Sequence, residues 1–174
     1  MKKEKKKGEK EYKILFVCLG NICRSPSAEA VMKKLVKDAG LKDHIRVDSA
    51  GIIGYHAGEE ADPRMRMHAA RRGYKLDSVS RPVCTDDFYR FDLIIGMDDR
   101  NIDDLKQKAP DLESMAKIHR MTDYSHNKLY DHIPDPYYGG AEGFELVLDL
   151  LEDACAGLLD ELVSRRDHGL TDFS

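Results

Sequence analysis

The chemistry this chain can do is concentrated in Cys18-Leu19-Gly20-Asn21-Ile22-Cys23-Arg24-Ser25. A thiol and a guanidinium stand either side of a short loop that contains glycine and asparagine. The apolar run Ile14-Leu15-Phe16-Val17 leads into it and Ser25-Pro26 opens a helical pattern behind it. A strand-to-helix loop of this kind exposes backbone N–H groups that lack helical partners, and the helix dipole adds partial positive charge. Such an end is a seat for a phosphate dianion. Leu19, Gly20, Asn21, Ile22, Cys23 and Ser25 would supply its walls and donors. Gly20 permits a tight path, and Asn21 tolerates left-handed backbone and can tie the loop with its amide. Arg24 brings a planar fork that grips two oxygens. The same groups stabilise a thiolate, because a free thiol, with a pKa of about 8.5, is lowered in such surroundings. Cys18 is therefore read as a nucleophile at the base of an anion cradle, with Ser25 able to donate to its sulfur.

Phosphoryl transfer from an oxygen also needs a proton donor. A phenol has a pKa of about 10, so its expulsion as the anion is slow near neutral pH. Asp135, in Asp135-Pro136-Tyr137-Tyr138, is the best candidate. It lies in a predicted loop, where an acid can reach over a cleft, and the neighbouring tyrosines can wall that cleft. An Asp-Pro turn with packing tyrosines is the plainer reading of this segment, and only the cysteine loop outweighs it.

These residues need a scaffold, and the pattern supplies one. After Cys18, apolar residues at 28, 31, 32, 35, 36 and 39 recur at helical spacing, with Ser25 as the expected cap, Pro26 first in the helix and Gly40 as its stop. Residues 46–50 read as a short strand, and Asp62-Pro63 opens a helix that Gly73 stops. Residues 91–97 read as a strand, and Asp98 or Asp99 opens a helix ending before Pro110. Residues 117–121 form a weak strand, 124–140 a long loop, and Phe144 to Leu162 a strong helix. Alternating strands and helices make one doubly wound α/β domain, with ligands at the carboxyl ends of its strands. The expected domain spans residues 12–168. The nearly all-charged 1–11 reads as a disordered tail, and 169–174 as a short C-terminal tail.

Bulk properties narrow the partners. A net charge of −4 argues against general nucleic-acid binding. No apolar run is long enough to span a bilayer, and no secretory signal is recognisable, so no membrane partner is expected and the cytoplasm is the default. The four cysteines, 18, 23, 84 and 155, form no disulfide framework or zinc pattern, and the seven histidines are scattered. No metal and no cofactor is expected. Cys84 and Cys155 read as packing residues and His56 as a solvated loop histidine.

The motifs VCLGNICRSP at 17–26, Asp48-Ser49-Ala50-Gly51, Asp86-Asp87-Phe88, Phe91-Asp92 with Met97-Asp98, and DPYYGG at 135–140 together resemble the low-molecular-weight protein tyrosine phosphatases. The resemblance runs from about residue 13 to 165 in one register. It implies a three-layer domain with a four-stranded parallel sheet flanked by helices. It implies a metal-independent enzyme in which Cys18 forms a cysteinyl-phosphate with a tyrosine-phosphorylated protein, Arg24 steadies the transferring group, and Asp135 acts as acid and then as base. Asn21 and Ser49 look like the family's loop-bracing pair. Ser78 stands where a facing histidine is often found, which weakens the expected bracing. Leu19, Ile22, Tyr55, Tyr137 and Tyr138 look like cleft walls, and Cys23 like a redox partner that shields Cys18. Ile22 stands where relatives acting on phosphoarginine carry threonine, so the apolar wall favours a phenyl ring. Phosphoarginine hydrolysis stays open as an alternative. So does arsenate reduction on the same scaffold, although Cys84 lacks a resolving partner at short spacing. A non-catalytic anion-binding module would tolerate loss of nucleophile or acid, and both are present.

Overall fold

The run Ile14-Leu15-Phe16-Val17 is wholly buried inside β1 (Tyr12–Cys18), the central strand. A computed structural model describes residues 11–171; most of the two expected tails, residues 1–10 and 172–174, lies outside them. Glu11, the first described residue, already pairs with Arg46 at 2.7 Å. The chain continues through α1 (Arg24–Asp38), β2 (Ile45–Gly51), α2 (Pro63–Arg71), α3 (Thr85–Arg90), β3 (Leu93–Gly96), α4 (Asp99–Lys108), α5 (Leu112–Met115), β4 (Ile118–Arg120) and α6 (Ala141–Asp167).

The four strands are parallel in the order β2-β1-β3-β4, a three-layer doubly wound α/β fold as expected. Strand side chains alternate between faces. Ile14, Phe16 and Cys18 therefore join the larger core with α1, α2 and α6. Leu15 and Val17 join the smaller one with Phe88, Ile102 and Leu105 from α3 and α4. The chain leaves β1 toward β2 on one side and later returns to β3 on the other. The carboxyl end of β1 is thus the switch point where a crevice opens. Cys18 ends that strand.

The structure departs from the sequence reading at β3, at α3 and at the start of α1. The predicted strand at 91–97 is shortened to Leu93–Gly96, because Phe91 closes the six-residue helix α3, its N–H donating to Asp87 O. The helix α3 itself was not anticipated, being too short to show a period. The start of α1 also differs. Cys23, not Ser25, is the N-cap, and no side chain caps the helix. Ser25 sits inside the first turn and its hydroxyl is turned to the loop instead.

Candidate active site

The loop between β1 and α1 closes on itself through buried polar contacts. Asn21 adopts the left-handed region at φ 58° and is 1 % exposed. Its amide Nδ2 donates to Ser25 Oγ at 2.8 Å and to Ser49 Oγ at 3.0 Å, and its Oδ1 accepts from Arg81 N at 3.0 Å. Ser49 donates onward to Glu29 Oε1 at 2.6 Å. Ser25 Oγ lies 3.0 Å from Cys18 Sγ and 3.4 Å from Ala50 O, so its one proton favours the sulfur on distance. A relay therefore runs from buried Glu29 through Ser49, Asn21 and Ser25 to Cys18. Gly20 O is held by Ser80 Oγ at 2.9 Å. The bracing ascribed to the position of Ser78 thus comes from Ser80 and the backbone of Arg81.

Arg24 is 3 % exposed. Its Nη1 donates to Asp98 Oδ2 at 2.6 Å and to Ile133 O at 3.0 Å, while Nη2 is 3.7 Å from Asp135 Oδ2. Burial works against its charge, but the sulfur of Cys18 and the carboxylates of Asp98 and Asp135 outweigh that and hold it more firmly protonated than usual. Asp98 also caps α4, accepting from Asn101 N at 2.8 Å. One carboxylate thus fixes both a helix and the guanidinium.

Asp135 comes from the loop before α6. Its side chain is 41 % exposed, and its Oδ1 accepts from Tyr137 N at 3.1 Å. It lines a cleft of about 340 Å³ together with Cys18, Arg24, Leu19, Ile22 and Tyr55. Gly20, Cys23, Ile53, His56, Tyr137 and Tyr138 complete the wall. Tyr55 and Tyr138 are 82 % and 94 % exposed, so they stand at the mouth, while Ile22 at 8 % lies deep. Burial pushes the Cys23 thiol well above its ordinary range, with the Asp62 carboxylate adding to it. Cys155 is likewise buried in the larger core, whereas Cys84 is exposed and is no packing residue.

His56 corrects the sequence reading. Its side chain is only 18 % exposed, its Nδ1 lies 2.5 Å from Glu59 Oε2, and its ring meets Tyr55 edge-on at 4.8 Å. It is part of the cleft wall and not a solvated loop histidine. Other polar partners were also missed. Asp98 had a signal, as the expected cap of a helix. Glu29 had none, since a glutamate on a helix is ordinarily solvated. A second, larger groove of about 1020 Å³ lies at the amino ends of the strands, among ion pairs such as Arg46–Glu11 and Arg165–Glu161. It contains no cysteine, so Cys18 and the larger space are at opposite ends of the sheet. Among the described residues no three His, Cys, Asp or Glu side chains stand together to hold a metal, and no helix is long and apolar enough to cross a membrane.

Comparison with known proteins agrees with this geometry. Residues 13–168 match the family model of the low molecular weight phosphotyrosine protein phosphatases. The low molecular weight protein-tyrosine-phosphatase of Streptomyces coelicolor is 43 % identical over 150 residues, 85 % of this chain and 92 % of that one. The human low molecular weight phosphotyrosine protein phosphatase is 41 % identical over 149 residues, 85 % and 94 % of the two chains. A crystal structure of a protein tyrosine phosphatase from Entamoeba histolytica, with Hepes in its active site, superposes with a TM-score of 0.87 at 47 % identity. It covers 90 % of this chain and 99 % of that one.

Proposed function

The chain belongs to the low molecular weight phosphotyrosine protein phosphatase family, and from that premise we propose that it hydrolyses phosphotyrosine in proteins through a cysteinyl-phosphate on Cys18. The observation that carries this reading is the meeting of Cys18, Arg24 and Asp135 in one cleft.

In the proposed cycle the phosphate dianion sits on the N–H groups of residues 19–24 and the amino end of α1, which has no acidic residue in its first turn. Arg24 grips it from the side, its own orientation set by Asp98 and Ile133 O. The sulfur of Cys18 attacks phosphorus and the bond to the phenolic oxygen breaks. Asp135 transfers its proton to that oxygen, so the leaving group departs neutral. Its carboxylate then takes a proton from water as the water oxygen attacks phosphorus. The P–S bond breaks, and the hydrogen bond from Ser25 eases departure of the thiolate. The cradle is preorganised and stabilises the charge spread over the transferring oxygens throughout.

Ile22 deep in the cleft and the tyrosines at its mouth suit a flat phenyl ring on apolar walls. Phosphotyrosine is therefore favoured over phosphoarginine. Cys23 is read as the thiol that captures Cys18 once peroxide has oxidised it to the sulfenic acid. A disulfide then forms as water leaves. Chemistry that depends on a reduced thiol fits the cytoplasm.

The test is phosphopeptide profiling with Cys18→Ser and Asp135→Ala. Turnover should vanish in the first and fall by about a hundredfold or more in the second, and both variants should retain tyrosine-phosphorylated peptides. Faster turnover of arginine-phosphorylated peptides by the unaltered enzyme would sink the substrate assignment. Equal recovery from peroxide in Cys23→Ser would sink the redox one.

A further inference from the structure

Arg64 lies outside the cleft and is 46 % exposed, yet it connects the two loops on which the proposed chemistry depends. The connection begins at the phosphate loop, where Ile22 O accepts from Asp62 N at 2.9 Å. Asp62, 7 % exposed on its side chain, caps α2 by accepting from Arg64 N at 2.8 Å and Met65 N at 3.3 Å. The same carboxylate takes Arg64 Nε at 3.2 Å and Nη2 at 3.0 Å. The guanidinium is thereby pinned at its base, which a planar fork allows and an ammonium does not. From there Nη2 donates to Tyr137 O at 2.9 Å, and its carbon lies 5.5 Å from the Tyr137 ring and 4.9 Å from that of Phe144. Tyr137 in turn donates its N–H to Asp135. Asp135 is part of a long irregular loop, so its height over Cys18 must be set by such contacts.

We propose that Arg64 is a positioning residue that holds the 135–137 turn over the phosphate loop, fixing the reach of the Asp135 carboxyl. The inference rests on the reading of Asp135 as general acid. An exposed arginine in an ordinary ion pair would contribute little to stability. Arg64 differs because its far end meets a backbone carbonyl two residues from the acid. Its loss frees the turn while leaving Cys18, Arg24 and the loop N–H groups in place. The deficit should therefore appear in protonation of the leaving group and not in grip on phosphate.

The experiment measures kcat/KM for phenyl phosphate, whose leaving group needs a proton, and for para-nitrophenyl phosphate, whose leaving group needs one much less. Inhibition by inorganic phosphate and the urea midpoint are read alongside. Arg64→Ala should lose about tenfold or more on phenyl phosphate and about threefold or less on para-nitrophenyl phosphate. Phosphate inhibition should be unchanged. Arg64→Lys, which can reach Asp62 or Tyr137 O but not both, should fall between; it also serves if the alanine variant folds poorly. Asp135→Asn is the control and should show the same preference more strongly. If Arg64 variants lose equally on both substrates, or lose phosphate affinity, while Asp135→Asn keeps its preference, the inference is overturned and the acid assignment stands. If Asp135→Asn treats both substrates alike, the acid assignment fails and takes this inference with it.

Discussion

Asn21 offers the sharpest measurement of what holds the phosphate loop. Its side chain makes three hydrogen bonds, two of them buried, to Ser25 and Ser49, and one part-buried, to the N–H of Arg81. Asn21→Ala removes all three. The two hydroxyls keep other partners, since Ser25 retains Cys18 and Ala50 O and Ser49 retains Glu29. The Arg81 N–H keeps none of the contacts described for it. One orphaned donor costs about 1–3 kcal/mol, and each shared bond lost costs about 0.5–1.5 kcal/mol. Alanine must also take up φ 58°, which costs about 1 kcal/mol more. The predicted loss is about 3–7 kcal/mol, a large part of the stability of an ordinary domain. Asn21→Gly relieves the backbone strain but not the lost bonds, and should recover at most about 1 kcal/mol of it. Urea unfolding with an unchanged slope reads these differences. Activity on para-nitrophenyl phosphate should drop in both variants under conditions where they are folded. If Asn21→Ala unfolds within about 0.5 kcal/mol of the unaltered protein and keeps its activity, the network is not what shapes the cradle.

Three further outcomes follow from particular contacts. Asp98→Asn keeps a capping oxygen for α4 but loses the charge on Arg24. It should lower kcat/KM by about tenfold to a hundredfold and weaken inhibition by phosphate in step; unchanged phosphate affinity would show that Arg24 finds its place without Asp98. Gly157→Ala puts a Cβ 1.8 Å from Tyr124 O, a backbone atom that cannot swing aside. It should cost about 2 kcal/mol or more in urea despite alanine's better helix propensity, and a stabilised variant would refute the contact. Asp87 is 1 % exposed; burial raises its pKa, but the Arg81 guanidinium and the Cys84 N–H outweigh this and hold its carboxyl below the usual range. Such a group stabilises the fold above its unfolded pKa of about 3.9, and that contribution is lost as pH falls through the lower folded value. Asp87→Asn should therefore be destabilised at pH 7 by an amount that shrinks as urea midpoints are taken toward pH 3, and a gap independent of pH would count against the ion pair.

Local pattern determined a good part of this protein. The four-residue apolar run before Cys18, the helical spacing after it and the Asp62-Pro63 cap each act within one turn or one strand, and each element formed where that spacing placed it. The Cys18–Arg24 loop was legible for the same reason, because cysteine, glycine, asparagine and arginine share a single short segment. The helix α3 escaped because six residues show no period, and Ser25 was misread as a cap because a Ser-Pro pair carries that signal whether or not its hydroxyl is needed elsewhere. What tertiary structure alone decided is the set of partners across long separations: Asp98 on Arg24, 74 residues away; Ile133 O on the same side chain, 109 away; Arg81 N on Asn21, 60 away. Parallel pairing sets Val17 beside Gly96, so the residue two beyond that glycine arrives next to the phosphate loop. Hydrophobic periodicity is blind to such meetings. They depend on strand register and on which polar atoms burial leaves in want of a partner, and both are fixed only when the layers close.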